Sequence, residues 1–289
     1  MDEQLNRKVE RAIKLIQSAG KVAKEHGQPL EVAYSGGKDS DVILELVRMA
    51  NVEYRAIYKN TTIDPPGTIK HVKEKGARMI LPKKNFGELI AKNGFPTWLH
   101  RHCCGYLKEY KVLDVVLLGI RKSESVKRSK RYQEPTQCRV YSKKERVQQY
   151  FPILDWNDND VLEFIEERNI KLHPIYYRED GTIDIKQRCG CMCCPMQGER
   201  VRRANFKKYP NMLKFYLRNG RKFLQTHPNS AVQKYGDEYR WLVRELFFRS
   251  DEVFFKRVGG GKNSLKDNTL FDDAIDCKKF LEDYFGVKL

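Results

Sequence analysis

One short segment of this 289-residue chain, Ser35–Ser40 with the sequence SGGKDS, has the residue types that bind a phosphate group. Gly36 and Gly37 let the backbone approach an anion closely, and the N–H groups at a helix start point towards it. Lys38 adds a positive charge, the terminal hydroxyls add donors, and Asp39 either binds Mg²⁺ or caps the helix. The segment lacks the GxxxxGK spacing of a Walker A loop. The simpler alternative is a Gly-Gly turn capped by serine.

Eight cysteines form a second chemical feature, and six of them are clustered in two groups: Cys103 and Cys104, then Cys189, Cys191, Cys193 and Cys194. In a chain without a secretion signal, such clusters indicate metal or redox chemistry rather than a disulfide framework. A 4Fe–4S cluster needs four thiolates. Four thiolates are available from the adjacent pair Cys103 and Cys104 together with Cys191 and Cys194, which form a CxxC.

The cysteine pattern leaves alternatives open. A structural Zn²⁺ site, built from the same cysteines or with His100 or His102, uses the same ligand types. Cys189 and Cys193 are each able to replace a nominated ligand. Arg188 and His102 are expected to favour thiolates at neutral pH. The two remaining cysteines, Cys138 and Cys277, are most simply free thiols.

The elements that must position these residues follow from the apolar pattern. An amphipathic helix ending near Gly27 comes first. Short apolar strands follow at Leu30–Tyr34, Tyr54–Tyr58, Ala77–Leu81 and Val112–Leu118, with helices at Val42–Ala50, Gly67–Lys75, Phe86–Lys92, Trp98–Lys108 and Val161–Arg168. This alternation predicts an α/β fold with a doubly wound parallel sheet. Beyond about residue 195 the periodicity is mainly helical, including Glu238–Phe248 and Ala274–Tyr284.

Charge is concentrated in two stretches of a chain with net charge +17. Residues 121–146 hold 10 Lys and Arg against 3 acidic residues, and residues 186–222 hold 11 against 1. Charge runs are usually solvated faces, and the functional alternative is a groove for a polyanion such as nucleic acid. Aromatic residues among the basic ones in 186–222 suit single-stranded nucleic acid, although at helical spacing they also suit a core.

Membrane and secreted classes are not expected. No apolar run approaches the ~20 residues of a membrane span, and the N-terminus does not resemble a secretory signal. We therefore expect a cytoplasmic protein without a membrane partner. A second glycine-rich string, residues 259–264 with the sequence GGGKNS, has no strand before it and is predicted to be a surface loop.

SGGKDS after the first strand resembles the signature of the PP-loop ATP pyrophosphatases, which have the adenine nucleotide α-hydrolase-like fold. Further segments resemble the phosphoadenosine-phosphosulfate (PAPS) reductase branch. They are Thr61–Asp64 after the second strand, residues 119–128 with the family's GxRxxES pattern, and residues 151–156, which resemble its PLLDW element. The matches run from about 30 to 198. The resemblance divides the chain into an N-terminal helix (1–29), a PP-loop domain (30–198) and a helical basic region (199–289).

The resemblance also implies a site. It places an adenine nucleotide (ATP with Mg²⁺, adenylyl sulfate or PAPS) against the residues of the loop and its neighbours, namely Ser35, Gly36, Gly37, Lys38, Asp39, Ser40, Asp64, Arg121, Ser125 and Arg128. Lys38, Asp39 and Arg121 would have the catalytic roles, and the arginines would contact the anionic end of the nucleotide. The cysteines resemble the CC…CxxC arrangement of the iron–sulfur adenylyl-sulfate reductases.

The sequence departs from the reductases at its C-terminal end. Their Glu-Cys-Gly-Leu-His segment, which carries the sulfate-attacking cysteine, has no counterpart around Cys277. Three hypotheses follow. The chain cleaves ATP to AMP and pyrophosphate to activate a substrate, such as a nucleic acid, for sulfur transfer. Alternatively, it is an adenylyl-sulfate or PAPS reductase with a displaced nucleophile, or a non-catalytic nucleotide- or nucleic-acid-binding module. Under either of the two enzymatic hypotheses, a sulfur donor or a thiol-reductant protein is an expected partner.

Overall fold

The computed structural model describes residues 2–142, 145–259 and 275–289. The chain forms two compact units. The first contains Met1–Pro82 and Leu107–Gly190, and the second contains Lys83–Tyr106 and Cys191–Leu289. No helix among these described residues is long and apolar enough to cross a membrane. In the predicted glycine-rich surface loop, residues 260–264 lie outside the described residues.

A six-stranded sheet forms the centre of the first unit. Its strands are β1 (Leu30–Tyr34), β2 (Tyr54–Lys59), β3 (Arg78–Ile80), β4 (Val115–Leu117), β5 (Thr136–Ser142) and β6 (Glu145–Tyr150). Their order is β3-β2-β1-β4-β6-β5, and every pair is parallel except β5 with β6. The chain moves outward from β1 in one direction and then returns to β1's other side. The predicted α/β fold with a doubly wound sheet is confirmed, and the sheet is parallel except where β5 pairs with β6.

The helices of this unit are α1 (Glu3–Glu25), α2 (Lys38–Ala50), α3 (Thr68–Glu74), α6 (Val126–Arg131) and α7 (Asp158–Glu167). The apolar residues of α1 recur every three or four positions, from Leu5 through Val9 to Ile16, and all three are buried in the core. Strand β4 is buried at every position, as expected for a central parallel strand. Asn157 caps α7 through a capping box with Asp160.

The basic stretch 121–146 contains a strand that the sequence analysis did not predict. β5 lies at the sheet edge and pairs antiparallel with β6. Five of its seven residues are exposed, because an edge strand has a neighbour on one side only, so its sequence TQCRVYS has no apolar run to reveal it. The helix predicted at Trp98–Lys108 is shorter, forming α5 at His102–Leu107.

The second unit is mainly helical, as predicted. Besides α5 it contains α4 (Phe86–Asn93), α8 (Glu199–Lys208), α9 (Pro210–Thr226), α10 (Glu238–Phe247), α11 (Asp251–Val258) and α12 (Cys277–Phe285). Aromatic rings fill its core, with Phe86 and Phe206 packed on Tyr216 at centroid distances of 5.6 and 5.1 Å. Gly220 on α9 allows Phe95 to approach, since a Cβ there would lie 2.5 Å from the ring.

Candidate nucleotide site and cysteine cluster

The Ser35–Ser40 loop connects β1 to α2 at the carboxyl edge of the sheet. Gly36 has φ +75°, a conformation that favours glycine, and Gly37 is the residue before the first helical turn. The loop is tightened by its own hydroxyls, since Ser40 Oγ donates to the carbonyl of Gly37 at 2.7 Å. The N-terminus of a 13-residue helix therefore opens directly behind two glycines. This arrangement is suited to an anion.

Lys38 is buried at the start of α2 rather than extended into solvent. Its Nζ lies 3.5 Å from both the carbonyl of Gln187 and Asp39 Oδ2. Its backbone N–H donates to the hydroxyl of Tyr176 at 3.1 Å, and the N–H of Cys189 donates to the same oxygen. Burial raises the pKa of Tyr176, so the phenol stays neutral. Sequence reasoning missed Tyr176, which is 138 residues from Lys38.

Arg121 lies in the protein interior, with 1% of its side chain exposed. Its Nε donates to Asp39 Oδ1 at 2.7 Å, and another nitrogen donates to Asp158 Oδ1 at 2.8 Å. A third donates to Ser123 Oγ at 2.9 Å. The guanidinium thus holds the carboxylate of the phosphate loop in place. No sequence pattern indicated Asp158 as a partner.

Gly119 allows this contact between the ends of β1 and β4. A Cβ at this position would lie 3.0 Å from the backbone carbonyl carbon and oxygen of Asp39. A side chain at this position would require the two segments to move apart by a few tenths of an ångström. β1 and β4 are also the neighbouring strands at which the sheet reverses its order. Ligands of open α/β sheets bind outside the carboxyl ends of such strands.

Arg128 and Arg188 bring positive charge to the same unit. Burial lowers the pKa of Arg128, and the neighbouring guanidinium of Arg188 lowers it further. Arg128 also forms an ion pair with Glu124, while Arg188 donates to the backbone carbonyl of that residue at 3.2 Å. Ser125, expected at the nucleotide, accepts from the N–H of Arg128 and caps α6. Two guanidinium groups this close together raise the local positive potential, which attracts anions.

Asp64 lies in the turn after β2. Its Oδ2 accepts from the hydroxyl and N–H of Thr61, at 2.6 and 3.2 Å, and from the hydroxyl of Tyr58. Thr62 in this turn has φ +64°, a conformation that is rare for a β-branched residue. The turn is therefore held in a strained geometry by the Asp64 carboxylate.

A buried polar network, not foreseen from the sequence, lies beneath the loop. Asp41 accepts from the hydroxyl of Tyr34 at 2.6 Å and contacts His71 Nε2 at 3.0 Å. Burial and the Asp41 charge raise the pKa of Tyr34. A Cβ on Gly36 would lie within 4 Å of His71 and 3.4 Å of Thr68, so the network supports the loop directly.

The second unit brings the four nominated cysteines near one another. The thiol of Cys103 is hydrogen bonded to that of Cys104, and its pKa is raised by this bond, by burial and by the charges of Cys104, Cys191 and Cys194. Cys193 is fully buried with φ +56°, and its carbonyl accepts from the hydroxyl of Tyr216. Burial raises the pKa of the Cys193 thiol, and the neighbouring thiol of Cys194 raises it further.

The four cysteines offer the donor atoms that a metal cluster needs, but their side chains are not arranged around a common point. Within the described residues, no group of three or more His, Cys, Asp or Glu side chains has the arrangement of an ion site. Three of these thiols raise the pKa of the fourth, Cys103, and a cationic iron–sulfur centre would stabilise all four as thiolates. All eight cysteines lie among the described residues, and none of them forms a disulfide bond.

The remaining cysteines and histidines that the sequence singled out have different local surroundings. Cys189 belongs to the first unit, where burial raises its pKa to about 11 and its thiol is hydrogen bonded to Thr68. Burial lowers the pKa of His102, so this ring is neutral at pH 7 and does not supply the expected positive charge. Cys138 is exposed on β5, and Cys277 is buried at the start of α12. His100 lies in the exposed segment before α5.

Comparison with known proteins gives one family and several relatives. The phosphoadenosine phosphosulfate reductase domain matches residues 29–263. The uncharacterized protein MJ0973 of Methanocaldococcus jannaschii is 28% identical over 199 residues, covering 64% of this chain and 46% of that protein. This chain thus spans about half the length of that relative.

Two solved structures are similar in part. PAPS reductase from Candida auris, solved as a phosphate complex, is 16% identical with a TM-score of 0.42, covering 60% of this chain and 90% of the other. The U34-tRNA thiolase NcsA from Methanococcus maripaludis, solved with its 4Fe–4S cluster, is 15% identical with a TM-score of 0.37, covering 76% and 79%.

Proposed function

This chain belongs to the phosphoadenosine phosphosulfate reductase domain family, and from that premise we propose that it cleaves ATP to AMP and pyrophosphate, activating a substrate for sulfur transfer. The observation that carries the proposal is the loop between β1 and α2. Its glycines, its buried Lys38 and its fixed Asp39 lie at the N-terminus of a helix, where the phosphates of a nucleotide are stabilised.

Each loop residue has a role in this reaction. An oxygen of the acceptor attacks the α-phosphorus of Mg-ATP, a new P–O bond forms, the bond to the β-phosphate breaks, and pyrophosphate leaves. A sulfur nucleophile from the donor then displaces AMP from the adenylylated acceptor. When no acceptor is present, water takes the place of the acceptor oxygen and AMP is released directly. Lys38 and the N–H groups of α2 stabilise the negative charge that accumulates on the departing pyrophosphate. Asp39, held by Arg121, is the candidate carboxylate for the Mg²⁺ of the substrate. Arg128 and Arg188 attract the polyphosphate.

The reductase alternative requires a reactive cysteine beyond the cluster. Cys277 is 3% exposed, and burial raises its pKa to about 11, so almost none of it is thiolate at neutral pH. A buried, protonated thiol is a poor nucleophile for a sulfated nucleotide. These properties favour ATP cleavage over sulfite release.

For the cofactor we propose a 4Fe–4S cluster held by Cys103, Cys104, Cys191 and Cys194, in a cytoplasmic enzyme whose thiols remain reduced. Zn²⁺ at the same cysteines is the alternative. When bound, an iron–sulfur cluster supplies a redox-active, electrostatically strong centre. Cys193 is left out of the proposed ligand set because its side chain is fully buried and because Cys191 and Cys194, not Cys193, are the neighbours that raise the pKa of Cys103.

A product assay tests the reaction. Anaerobically purified protein is offered Mg-ATP, adenylyl sulfate and PAPS in parallel, and AMP, pyrophosphate and sulfite are measured. We expect AMP and pyrophosphate in equal amounts from ATP, and no sulfite. Asp39→Asn is the inactive control, and Cys277→Ser should retain full activity. Sulfite released by the wild type and lost in Cys277→Ser would establish the reductase instead. Tight nucleotide binding without turnover would indicate the non-catalytic module.

Metal analysis with matched variants tests the ligand set. We expect about four iron atoms per chain and the visible absorption of an iron–sulfur cluster. Cys194→Ser should lose the metal, whereas its neighbour Cys193→Ser should keep it. Stoichiometric zinc with no iron would select the zinc alternative, and loss of metal in Cys193→Ser alone would overturn the proposed set.

A further inference from the structure

A cavity of about 600 Å³ opens beside α9 in the second unit, and its lining includes Lys214, Phe215, Arg218, Arg221 and Tyr239. Its volume lies within the range of ligand sites in proteins. None of these residues has a role in the proposed ATP chemistry or in the cysteine cluster. Basic and aromatic side chains around one concavity suit a ligand that has both a negative charge and a flat ring.

The positive charge follows one face of α9. Lys214, Arg218 and Arg221 are four and then three residues apart, so they form one exposed stripe along the helix. Arg221 is paired with Glu238 and bonded to the hydroxyl of Tyr239 at 3.1 Å. Within the described part of the chain, no carboxylate forms an ion pair with Lys214 or Arg218. Two cations without an ion-paired carboxylate therefore line the opening, together with Asn211, Leu217 and Leu289.

Aromatic rings lie beside these cations. The Arg218 guanidinium lies 5.9 Å from the Phe215 ring centroid, and Lys278 Nζ lies 5.9 Å from that of Tyr239. Both rings are half-buried, so part of each faces solvent. A nucleobase stacks on such a surface while its phosphate meets the neighbouring cation.

We propose that this cavity binds single-stranded nucleic acid, taking one phosphate at Lys214 and Arg218 and a base against Phe215 or Tyr239. The proposal rests on the proposed function, in which a nucleic acid is the acceptor, and adds where that acceptor is held. A single strand fits better than a duplex because its bases are free to enter a concave site. The basic groups follow a stripe along the helix, as a phosphate backbone requires.

Binding of a fluorescently labelled, mixed-sequence single-stranded RNA to the full chain, measured by anisotropy over a salt series, tests the proposal. Each single-strand phosphate contact contributes about 0.7 to the salt slope, which corresponds to about fivefold in affinity at 0.1 M salt. With the added repulsion of a reversed charge, Lys214→Glu and Arg218→Glu should each weaken binding about tenfold. Both should also give a shallower slope.

Lys222→Glu is the matched control. Lys222 is exposed on the same helix, next to Arg221, and does not line the cavity. Its variant should bind within about twofold of wild type, since only unspecific charge is altered. Tyr239→Phe should preserve stacking, and Tyr239→Leu should weaken binding about fivefold or more. Unchanged thermal midpoints verify that the variants fold.

Three results would overturn the inference. The first is that Lys222→Glu and Arg218→Glu weaken RNA binding equally. The second is that every cavity variant binds RNA as tightly as wild type. The third is that Arg218→Glu leaves RNA binding unchanged but abolishes sedimentation of the protein with phosphatidylserine vesicles. ATP cleavage is measured on the same preparations. If the protein cleaves ATP and Arg218→Glu leaves RNA binding unaffected, only the cavity inference is refuted. If RNA binding depends on the cavity but the protein does not cleave ATP, only the proposed reaction is refuted.

Discussion

Replacing Arg121 by methionine tests whether this arginine acts on the nucleotide directly or through Asp39. The family resemblance assigns Arg121 to the anionic end of the nucleotide. In the structure, its guanidinium instead donates to Asp39 and Asp158 and is 1% exposed. We therefore expect Arg121 to be a positioning residue whose effect depends on the presence of the Asp39 carboxylate.

The stability cost follows from the exposure of the two partners. Asp158 is 47% exposed, so water stabilises its charge and its bond contributes ~0–1 kcal/mol. Asp39 is 17% exposed, so loss of its bond to Arg121 should cost about 2–3 kcal/mol. A fully buried ion pair would cost more, ~3–5 kcal/mol. Arg121→Met should therefore lower the free energy of unfolding by about 2–4 kcal/mol. Denaturant titration measures this loss.

The effect on activity is expected mainly in kcat. A carboxylate displaced by about 1 Å costs roughly 100-fold in rate, so Arg121→Met should lower kcat for ATP cleavage by about that factor. The KM for ATP should change little. Asp158→Asn is the control, because it removes a partner of Arg121 but leaves the Asp39 bond, and it should stay within about twofold of wild type.

A double-mutant cycle decides between the two roles. If Arg121 acts through Asp39, Arg121→Met adds nothing to the defect of Asp39→Asn, and the double variant equals the single one. Additive losses in kcat/KM, with a raised KM for ATP even in the Asp39→Asn background, would refute the positioning role. Rates are measured below the thermal midpoint of the least stable variant.

Further predictions concern the close approach at the loop, its hydroxyl partner and the second unit. Gly119→Ala should cost about 1–3 kcal/mol and reduce ATP cleavage, because its methyl group meets the Asp39 backbone; thermal melts and the product assay measure both. Tyr176→Phe should cost about 1–3 kcal/mol in denaturant titration, because the buried N–H of Lys38 loses its acceptor. Burial raises the pKa of the Asp251 carboxyl, but its three hydrogen-bond donors outweigh this and lower it to about 2. The stability it contributes is therefore present above pH ~4 and is lost as pH falls towards 2, so Asp251→Asn should destabilise by about 1–2 kcal/mol at pH 7 and by almost nothing at pH 2.

The sequence alone determined the local features of the site. β4 and, apart from Glu31, β1 are short runs of apolar residues, a pattern typical of buried parallel strands. The glycines and serines of residues 35–40 have conformational and hydrogen-bonding properties that depend on neighbouring residues only. The cap at Asn157 likewise involves residues three positions apart. Short-range physics of this kind is readable from one chain.

Only the tertiary structure decided which side chains meet. Tyr176 reaches Lys38, and Arg121 reaches Asp39, across 138 and 82 residues, and no local pattern encodes such a contact. The grouping of residues 83–106 with 191–289 brings two cysteine pairs into one unit. Cys191 and Cys194 raise the pKa of Cys103, whereas Cys193, which is adjacent to Cys194 in sequence and has a left-handed backbone, is not among the groups that do so. Residue types determine which chemistry is available, whereas packing over long distances in the chain determines which of those residues act together.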